Sequence, residues 1–143
     1  LSRSSLNSIL NTVIGRLRIP QTVDIELPEN DVDVIADVAN LEIVFVNLIT
    51  NAIQAMNNVG KIKIEACQDG KNVIIKIIDS GPGIPKENLS LIFEPLFTTK
   101  QTGTGLGLVS CKTIIEQHGG SIHAESRLGE GATFVVTLPH RQS

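Results

Sequence analysis

"NLITNAIQAM" (Asn47–Met56) has the apolar content of a buried helix, yet it carries a row of uncharged amides. Between residues 41 and 58 the one charged side chain is Glu42. The amides follow at i, i+4, i+7 and i+11, which places them on one face of a helix: Asn47, Asn51, Gln54 and Asn58. A helix face turned to free solvent normally carries Lys, Glu or Arg. The row therefore indicates a surface that coordinates a polar ligand.

Composition restricts the class of protein. A chain of 143 residues suits one domain with a proper core, and a hydrophobic content of 41% predicts a globular fold. A net charge of −3, four Phe and the absence of Trp and Tyr disfavour a nucleic-acid surface, which needs a basic stripe or stacking rings.

Neither a membrane segment nor a disulfide is expected in this fragment. Polar residues interrupt the most hydrophobic region, so no apolar run reaches membrane-spanning length: Asp37, Asn40, Glu42 and Asn47. The N-terminus lacks a signal-peptide pattern. Cys67 and Cys111 show no metal-ligand spacing, and Cys111 shares a helical row with Leu108 and Ile115. We expect reduced thiols and a cytoplasmic setting.

The N-terminal segment predicts an amphipathic helix that Pro20 ends. Its apolar stripe follows helical spacing: Leu6, Ile9, Leu10, Val13, Ile14 and Leu17. The stripe packs on the core of this domain, or the helix is the end of a longer one from a preceding domain. Both alternatives stay open, since the chain starts without an obvious capping sequence.

Periodicity predicts the remaining elements. The predicted strands are Val23–Leu27, Val32–Ala36, Lys61–Cys67, Asn72–Asp79, Ser121–Ser126 and Ala132–Leu138. The predicted helices beyond the first are the amide-bearing one and a glycine-rich one over Gly105–His118. We predict an α/β (α+β) two-layer sandwich, with a mixed sheet of about five strands and about three helices on one face.

"DSGPGIP" (Asp79–Pro85) places a carboxylate at the end of an apolar strand. Gly81 and Gly83, with a proline between them, make a rigid turn whose backbone can lie close to a flat ligand. A partly buried Asp79 needs hydrogen-bond donors, and an exocyclic amine such as that of adenine can supply one. An ordinary strand-ending turn with a capping Asp is the alternative.

"TTKQTGTGLGL" (Thr98–Leu108) brings three glycines into the start of a helix. Backbone N–H groups and the helix dipole favour phosphate there. The spacing is GxGxG, which differs from the GxGxxG of a dinucleotide fold and from the Walker sequence. A dinucleotide-binding oxidoreductase is therefore disfavoured.

Five motifs in order resemble the catalytic ATP-binding domain of sensor histidine kinases, in the Bergerat-fold superfamily. The likeness covers roughly residues 20–139. The motifs resemble the N, G1, F, G2 and G3 boxes: "NLITNAIQAM", "DSGPGIP", "IFEPLF" (Ile92–Phe97), "GTGLGL" (Gly103–Leu108) and "GEGATF" (Gly129–Phe134). The resemblance implies that residues 1–19 are the end of a preceding dimerisation or acceptor helix or a linker, and that residues 20–143 are the kinase catalytic domain.

The resemblance also implies a role for each matched position. Asn51 would ligate Mg²⁺ through its amide oxygen, Asn47 and Gln54 would lie along the ATP phosphates, and Asp79 would accept from the adenine amine. Gly81, Gly83 and Ile84 would face the base. A mobile lid would consist of Phe93, Phe97, Thr98, Thr99 and Lys100. The phosphate-binding hinge would consist of Gly103, Thr104, Gly105, Leu106, Gly107 and Leu108. The catalytic residues implied are Asn47, Asn51 and Lys100.

One position separates branches of the superfamily. ATP-hydrolysing relatives carry a glutamate general base four residues before the metal-binding asparagine, and this chain has Asn47 there. An amide cannot take a proton at neutral pH. The resemblance therefore implies ATP-dependent transfer to an external nucleophile, and a nucleotide-gated module of the same fold without phosphotransfer is the alternative.

The acceptor histidine is not recognisable in this sequence. The three candidates do not fit an acceptor hairpin: His118, His123 and His140. His118 lies in the last helical turn, where a cation suits the dipole. The resemblance implies a separate histidine-acceptor hairpin, a response regulator as downstream partner and a homodimeric parent kinase. Ala132 stands where the family commonly has Thr, and Thr133 is the expected substitute, although the two residues point to opposite faces of the strand.

Overall fold

Seven strands and three α-helices make up the part of the chain that the computed structural model describes, residues 1–94, 107–126 and 129–140. The strands are β1 (Ser2–Ser5), β2 (Val23–Glu26), β3 (Asp33–Ala36), β4 (Gly60–Asp69), β5 (Asn72–Asp79), β6 (Ser121–Ser126) and β7 (Ala132–Pro139). The helices are α1 (Leu6–Arg16), α2 (Val38–Ala55) and α3 (Gly107–Gln117), and a 3-10 turn spans Lys86–Asn88.

The main sheet is mixed and five-stranded, in the order β2-β4-β5-β7-β6. β2 pairs with β4 in parallel, and the other neighbours are antiparallel. Alternate residues face the helices and form the core, among them Ile62, Ile64, Ile75, Ile77, Phe134 and Val136. Lys61 and Lys63 lie on the opposite, outer face. The predicted sandwich is confirmed, with a second sheet of β1 and β3 beside it.

α2 supplies a long apolar face to the core. Its N-cap is Asp37, whose Oδ1 accepts from the N–H of Asn40 at 3.2 Å. Seven of its side chains are buried, and a large one contributes about 2 kcal/mol when fully buried: Leu41, Val44, Phe45, Leu48, Ile49, Ala52 and Ile53.

α2 ends at Ala55, one turn earlier than the amide row predicts. Asn57 and Asn58 have φ of 54° and 67°, a left-handed backbone that asparagine tolerates better than most residues. The expectation that Asn58 continues the helical row is therefore wrong. The amide face consists of Asn47, Asn51 and Gln54.

By length and composition alone, α2 meets the test for a membrane span, with 18 residues and a mean hydropathy of 1.3. The expectation that no apolar run reaches this length is corrected. The stripe that makes α2 hydrophobic packs against the sheet, which is how the core helix of a water-exposed domain passes the same test.

His118 joins the end of α3 to the start of α2. Its Nδ1–H donates to the carbonyl oxygen of Ile114 at 2.8 Å, and its Nε2 accepts from the N–H of Asp37 at 3.0 Å. This pair of bonds requires the neutral imidazole with the proton on Nδ1. The expectation of a cation at the helix end is corrected, because the ring bridges two helices as a neutral donor and acceptor.

The N-terminal segment folds onto the core. Four side chains of α1 are buried among the core residues: Leu6, Ile9, Leu10 and Val13. The Oγ of Ser5 accepts from the N–H of Ser8 at 3.2 Å, so the helix has an N-cap and the expectation of none is wrong. The assignment of residues 1–19 to a preceding helix or linker stays a prediction.

Asp31 fastens this segment to the connection that leads into β3. Its carboxylate accepts from the hydroxyl of Ser5 and from the N–H of Asn7, the latter at 3.0 Å. These bonds lower the pKa of Asp31 from its ordinary value of 3.8, with the Ser5 hydroxyl as the largest cause. A pKa that is lower in the folded chain stabilises the fold above pH 3.8, and this contribution is lost as the pH falls through the folded-state pKa.

We expect Asp31→Asn to lower the free energy of unfolding more at about pH 6 than at about pH 3, because the stabilisation that comes from the lowered pKa is fully present well above pH 3.8 and is smaller below it. Urea unfolding of both chains at the two pH values measures this difference. Glu29→Gln, an exposed charge in the same connection, is the control. An equal loss at both pH values would contradict the role assigned to the ionised carboxylate.

Candidate functional site

The amide row follows the side of α2 that is not packed against the sheet. Asn47 and Asn51 are half-buried and Gln54 is exposed, while the residues between them are mostly core. Asn47 faces the first residue of α3, because a Cβ at Gly107 would lie 3.3 Å from Asn47 Oδ1. The start of α3 therefore approaches the first member of the row.

Cys111 lies one turn further along α3. It is fully buried, and its Sγ is 3.7 Å from the carbonyl oxygen of Val44. Burial raises the pKa of the thiol to about 12, although a hydrogen bond to Asn47 acts in the opposite direction. The prediction that Cys111 is a packing residue is confirmed, and the same residue helps to hold the Asn47 amide.

The turn after β5 meets the other end of α2. A Cβ at Gly81 would lie 3.3 Å from the carbonyl oxygen of Ala55 and 3.4 Å from Met56 Cγ. Eight residues separate Asn47 from Ala55, which is about 12 Å along a helix axis at 1.5 Å per residue. Asn51 lies midway. The site is thus an elongated surface with the start of α3 at one end and Asp79 at the other.

Asp79 is the one buried polar side chain in the described ranges, with 4% of its surface exposed. Its Oδ1 accepts from the N–H of Gly81 at 2.8 Å and from the N–H of Ala132 at 3.3 Å. Two backbone donors fix the orientation of the carboxylate and offset the cost of burying it. The predicted burial of Asp79 is confirmed.

The residue just before β7 lies in close contact with the backbone of Asp79. Gly131 has a φ of +90°, and a Cβ on it would lie 2.1 Å from the carbonyl oxygen of Asp79. The N–H of Gly129 donates to the carbonyl oxygen of Pro82 at 2.6 Å. Both glycines belong to the last of the five sequence motifs, but the sequence alone does not show that they contact residues 79–82.

The replacement of the family's Thr by Ala132 leaves one backbone contact in place. Ala132 bonds Asp79 through its N–H, which every residue except proline supplies. Thr133 pairs with Ile78 on the outer face, whereas Phe134 and Ile77 face the core. Strand alternation therefore places Thr133 on the face of the sheet opposite Asp79, and its contact with a nucleotide stays a prediction.

The other predicted site residues fall into two groups. Gly83 has a φ of +86°, Ile84 and Leu108 pack partly on the core, and the Phe93 ring meets Phe134 edge-to-face at 6.0 Å. Phe93 is thus held against the core by its contact with Phe134. Contact of any residue of this first group with a nucleotide stays a prediction. The second group lies outside the described residues: Phe97, Thr98, Thr99, Lys100, Gly103, Thr104, Gly105 and Leu106.

Comparison with known proteins identifies the family and the fold. The family model described as "Histidine kinase-, DNA gyrase B-, and HSP90-like ATPase" matches residues 36–142. The chain belongs to this family. Its relatives within the family are sensor histidine kinases, and the chain has their catalytic ATP-binding domain.

Sensor histidine kinase ZraS of Escherichia coli strain K12 is 39% identical over 97% of this chain, which spans 31% of ZraS. The catalytic domain of histidine kinase ThkA is 37% identical, with a TM-score of 0.79 over 98% of this chain and 97% of that one. A structure of ThkA in complex with response regulator protein TrrA gives a TM-score of 0.80 at 34% identity, covering 98% of this chain and 42% of that chain. The chain therefore spans less than a third of the full-length ZraS kinase.

We expect Gly131→Ala to lower the free energy of unfolding by at least about 2 kcal/mol more than Gly129→Ala, because of these two positions it is Gly131 that has no room for a Cβ. Gly129 is a matched control, since its φ of +83° imposes a similar backbone strain with no atom near the added carbon. Urea unfolding of both variants measures the difference. Equal losses would show that Gly131 does not lie against Asp79.

Proposed function

We propose that this chain is the catalytic half of a two-component sensor histidine kinase, and that it transfers the γ-phosphoryl group of Mg-ATP to a histidine on a separate helical hairpin. The observation that carries the proposal is the elongated surface of α2. One end has a buried, backbone-held carboxylate, the middle has uncharged amides, and the other end meets the start of α3.

The Asp79 end suits the base. A buried carboxylate accepts from an exocyclic amine, as adenine presents, and is repelled by the carbonyl oxygen that guanine has at the corresponding position. Gly81 lets the turn pack closely on α2 and on Asp79 Oδ1, so the base would meet a preformed edge. Asp79 is therefore proposed as the residue that selects adenine.

The amide end suits the phosphates and a magnesium ion. Asn51 is half-buried and uncharged, and Mg²⁺ prefers oxygen ligands while keeping water and substrate phosphates in its shell. Asn51 would bind the ion through its amide oxygen, with Asn47 and Gln54 beside the phosphates. Bound Mg²⁺ would neutralise phosphate charge as the phosphoryl group transfers. Lys100 is proposed as a further cation at this end.

The residues of the site favour transfer over hydrolysis. Asn47 occupies the position of the general base and cannot accept a proton at neutral pH. Its amide lies against the start of α3 and is hydrogen-bonded to Cys111, which holds it at the end of the surface where we propose that the phosphates bind. Catalysis would rest on positioning and charge neutralisation.

None of the three histidines lies within an α-helix of the described residues, whereas the acceptor of a helical hairpin would. Both ring nitrogens of His118 are hydrogen-bonded, and His123 lies on the outer face, with Nε2 3.7 Å from Glu125 Oε2. His140 is tied by its backbone N–H to Lys71 O at 2.7 Å. These positions support an acceptor on another domain, which residues 1–19 would join to the catalytic domain of residues 20–143.

A kinase whose acceptor histidine lies on another domain needs further partners. We propose that the parent kinase is a homodimer, that it works in the cytoplasm, and that it passes phosphate to a response regulator. The likeness to ThkA, whose structure includes response regulator TrrA, supports the last of these.

We expect Asn51→Ala to lower phosphoryl transfer by at least about 100-fold while leaving the fold intact, because the amide supplies a metal ligand and no core contact. The assay mixes the chain with a separately made acceptor hairpin and labelled Mg-ATP. Asn40→Ala, another half-buried asparagine near the start of the same helix, is the control.

Label on the hairpin histidine with the unaltered chain, and none with Asn51→Ala, is the expected result. Transfer by Asn51→Ala at the unaltered rate would refute the metal-ligand role. Tight ATP binding by the unaltered chain without any transfer would favour the nucleotide-gated module.

We expect Asp79→Asn to weaken ATP binding by about 10-fold or more and to reduce the preference for ATP over GTP, because an amide presents a donor as well as an acceptor to the base. Titration with each nucleotide in the presence of Mg²⁺ measures both effects. Asp69→Asn removes the same charge from the exposed end of β4 and serves as control. A preserved ATP-to-GTP ratio would remove Asp79 as the adenine-selecting residue.

A further inference from the structure

The Ser126 hydroxyl bridges two segments that flank the buried carboxylate. Its Oγ accepts from the N–H of Ile84 at 2.6 Å and donates to the carbonyl oxygen of Gly131 at 3.2 Å. Ile84 closes the glycine turn that begins at Asp79, and Gly131 immediately precedes β7. One side chain at the end of β6 therefore fixes the distance between the turn and the neighbouring strand.

We propose that Ser126 is a positioning residue for base recognition, acting through the turn and through Asp79. The inference rests on the proposed function and deepens it, since it names a residue that sets the selectivity of the same site. Ser126 does not need to touch the nucleotide. Its hydrogen bonds to Ile84 and Gly131 hold the backbone segments next to the Asp79 carboxylate in place.

The route from Ser126 to Asp79 is short and consists of backbone contacts. Ser126 bonds the carbonyl of Gly131, whose backbone lies against the carbonyl oxygen of Asp79. The next residue, Ala132, gives its N–H to Asp79 Oδ1. On the other side, Ser126 holds Ile84, and Gly129 holds Pro82. Loss of the hydroxyl would loosen both flanks of the carboxylate together.

The bridge needs a group that donates and accepts at once, which restricts the residue types that fit. A hydroxyl does both, so threonine preserves the function, and alanine leaves the Ile84 N–H and the Gly131 carbonyl without this partner. Ser126 is the cross-strand neighbour of Ala132 and shares its face of the sheet. The hydroxyl thus lies on the Asp79 side of the sheet in this chain.

Three Mg²⁺-loaded ligands separate a positioning role from a general loss of structure: ATP, GTP and inorganic tripolyphosphate, which has no base. For Ser126→Ala we expect ATP affinity to fall by about five-fold, the effect of one hydrogen bond, while tripolyphosphate affinity changes by less than about two-fold. The ratio of the affinity for ATP to the affinity for GTP is expected to fall as well. Ser126→Thr restores both values.

Ser121→Ala is the matched control, because it makes the same change on the exposed opposite end of β6. Thermal unfolding of each variant verifies the fold. Should Ser126→Ala not fold, amide exchange in the unaltered chain serves instead: slow exchange at the Ile84 N–H supports the bridge, and free exchange there overturns it.

The outcomes distinguish this inference from the proposed function. If the unaltered chain binds tripolyphosphate as tightly as ATP, the proposed base site fails. If the unaltered chain prefers ATP and Ser126→Ala keeps the same preference, or loses affinity for all three ligands equally, the positioning role of Ser126 is overturned.

Discussion

The candidate site depends on one buried carboxylate and the backbone donors that hold it. Asp79 lies at the end of a core strand with 4% of its surface exposed, and a charge in that place requires hydrogen bonds from fixed groups. Gly81 provides one from its own turn, and Ala132 provides another from β7. The sheet order, with β5 next to β7, is what brings those donors together.

The parts of the fold that the sequence predicts are those with local periodicity. β4 alternates between Ile and charged residues, and α2 shows an apolar stripe, so both were predictable from spacing. β1 was not, because its four residues are serines and an arginine without any apolar alternation, and its strand form comes from pairing with β3. The end of α2 was predicted one turn late, because Asn57 and Asn58 look as compatible with a helix as the preceding amides do.

The residues of the candidate site also fall into those that local sequence patterns predict and those that long-range contacts determine. The burial of Asp79 follows from its place at the end of an apolar strand, and the position of Asn47 follows from the amide row. Ser126 and Gly131 were not among the predicted site residues, because their contacts cross 42 residues to Ile84 and bring β7 against a strand 53 residues earlier. Such contacts are set by strand pairing rather than by local composition. Strand pairing also places the Thr133 hydroxyl one residue out of register with the face that carries Asp79.

The main-chain donor at Ala132 has an evolutionary consequence. Because the contact with Asp79 comes from an N–H, substitution at this position can change the side-chain chemistry and keep the interaction, provided that the new residue is small enough for its buried surroundings and is not proline. Relatives with a different residue at this position can therefore keep the hydrogen bond to Asp79 even though the side chain is not conserved.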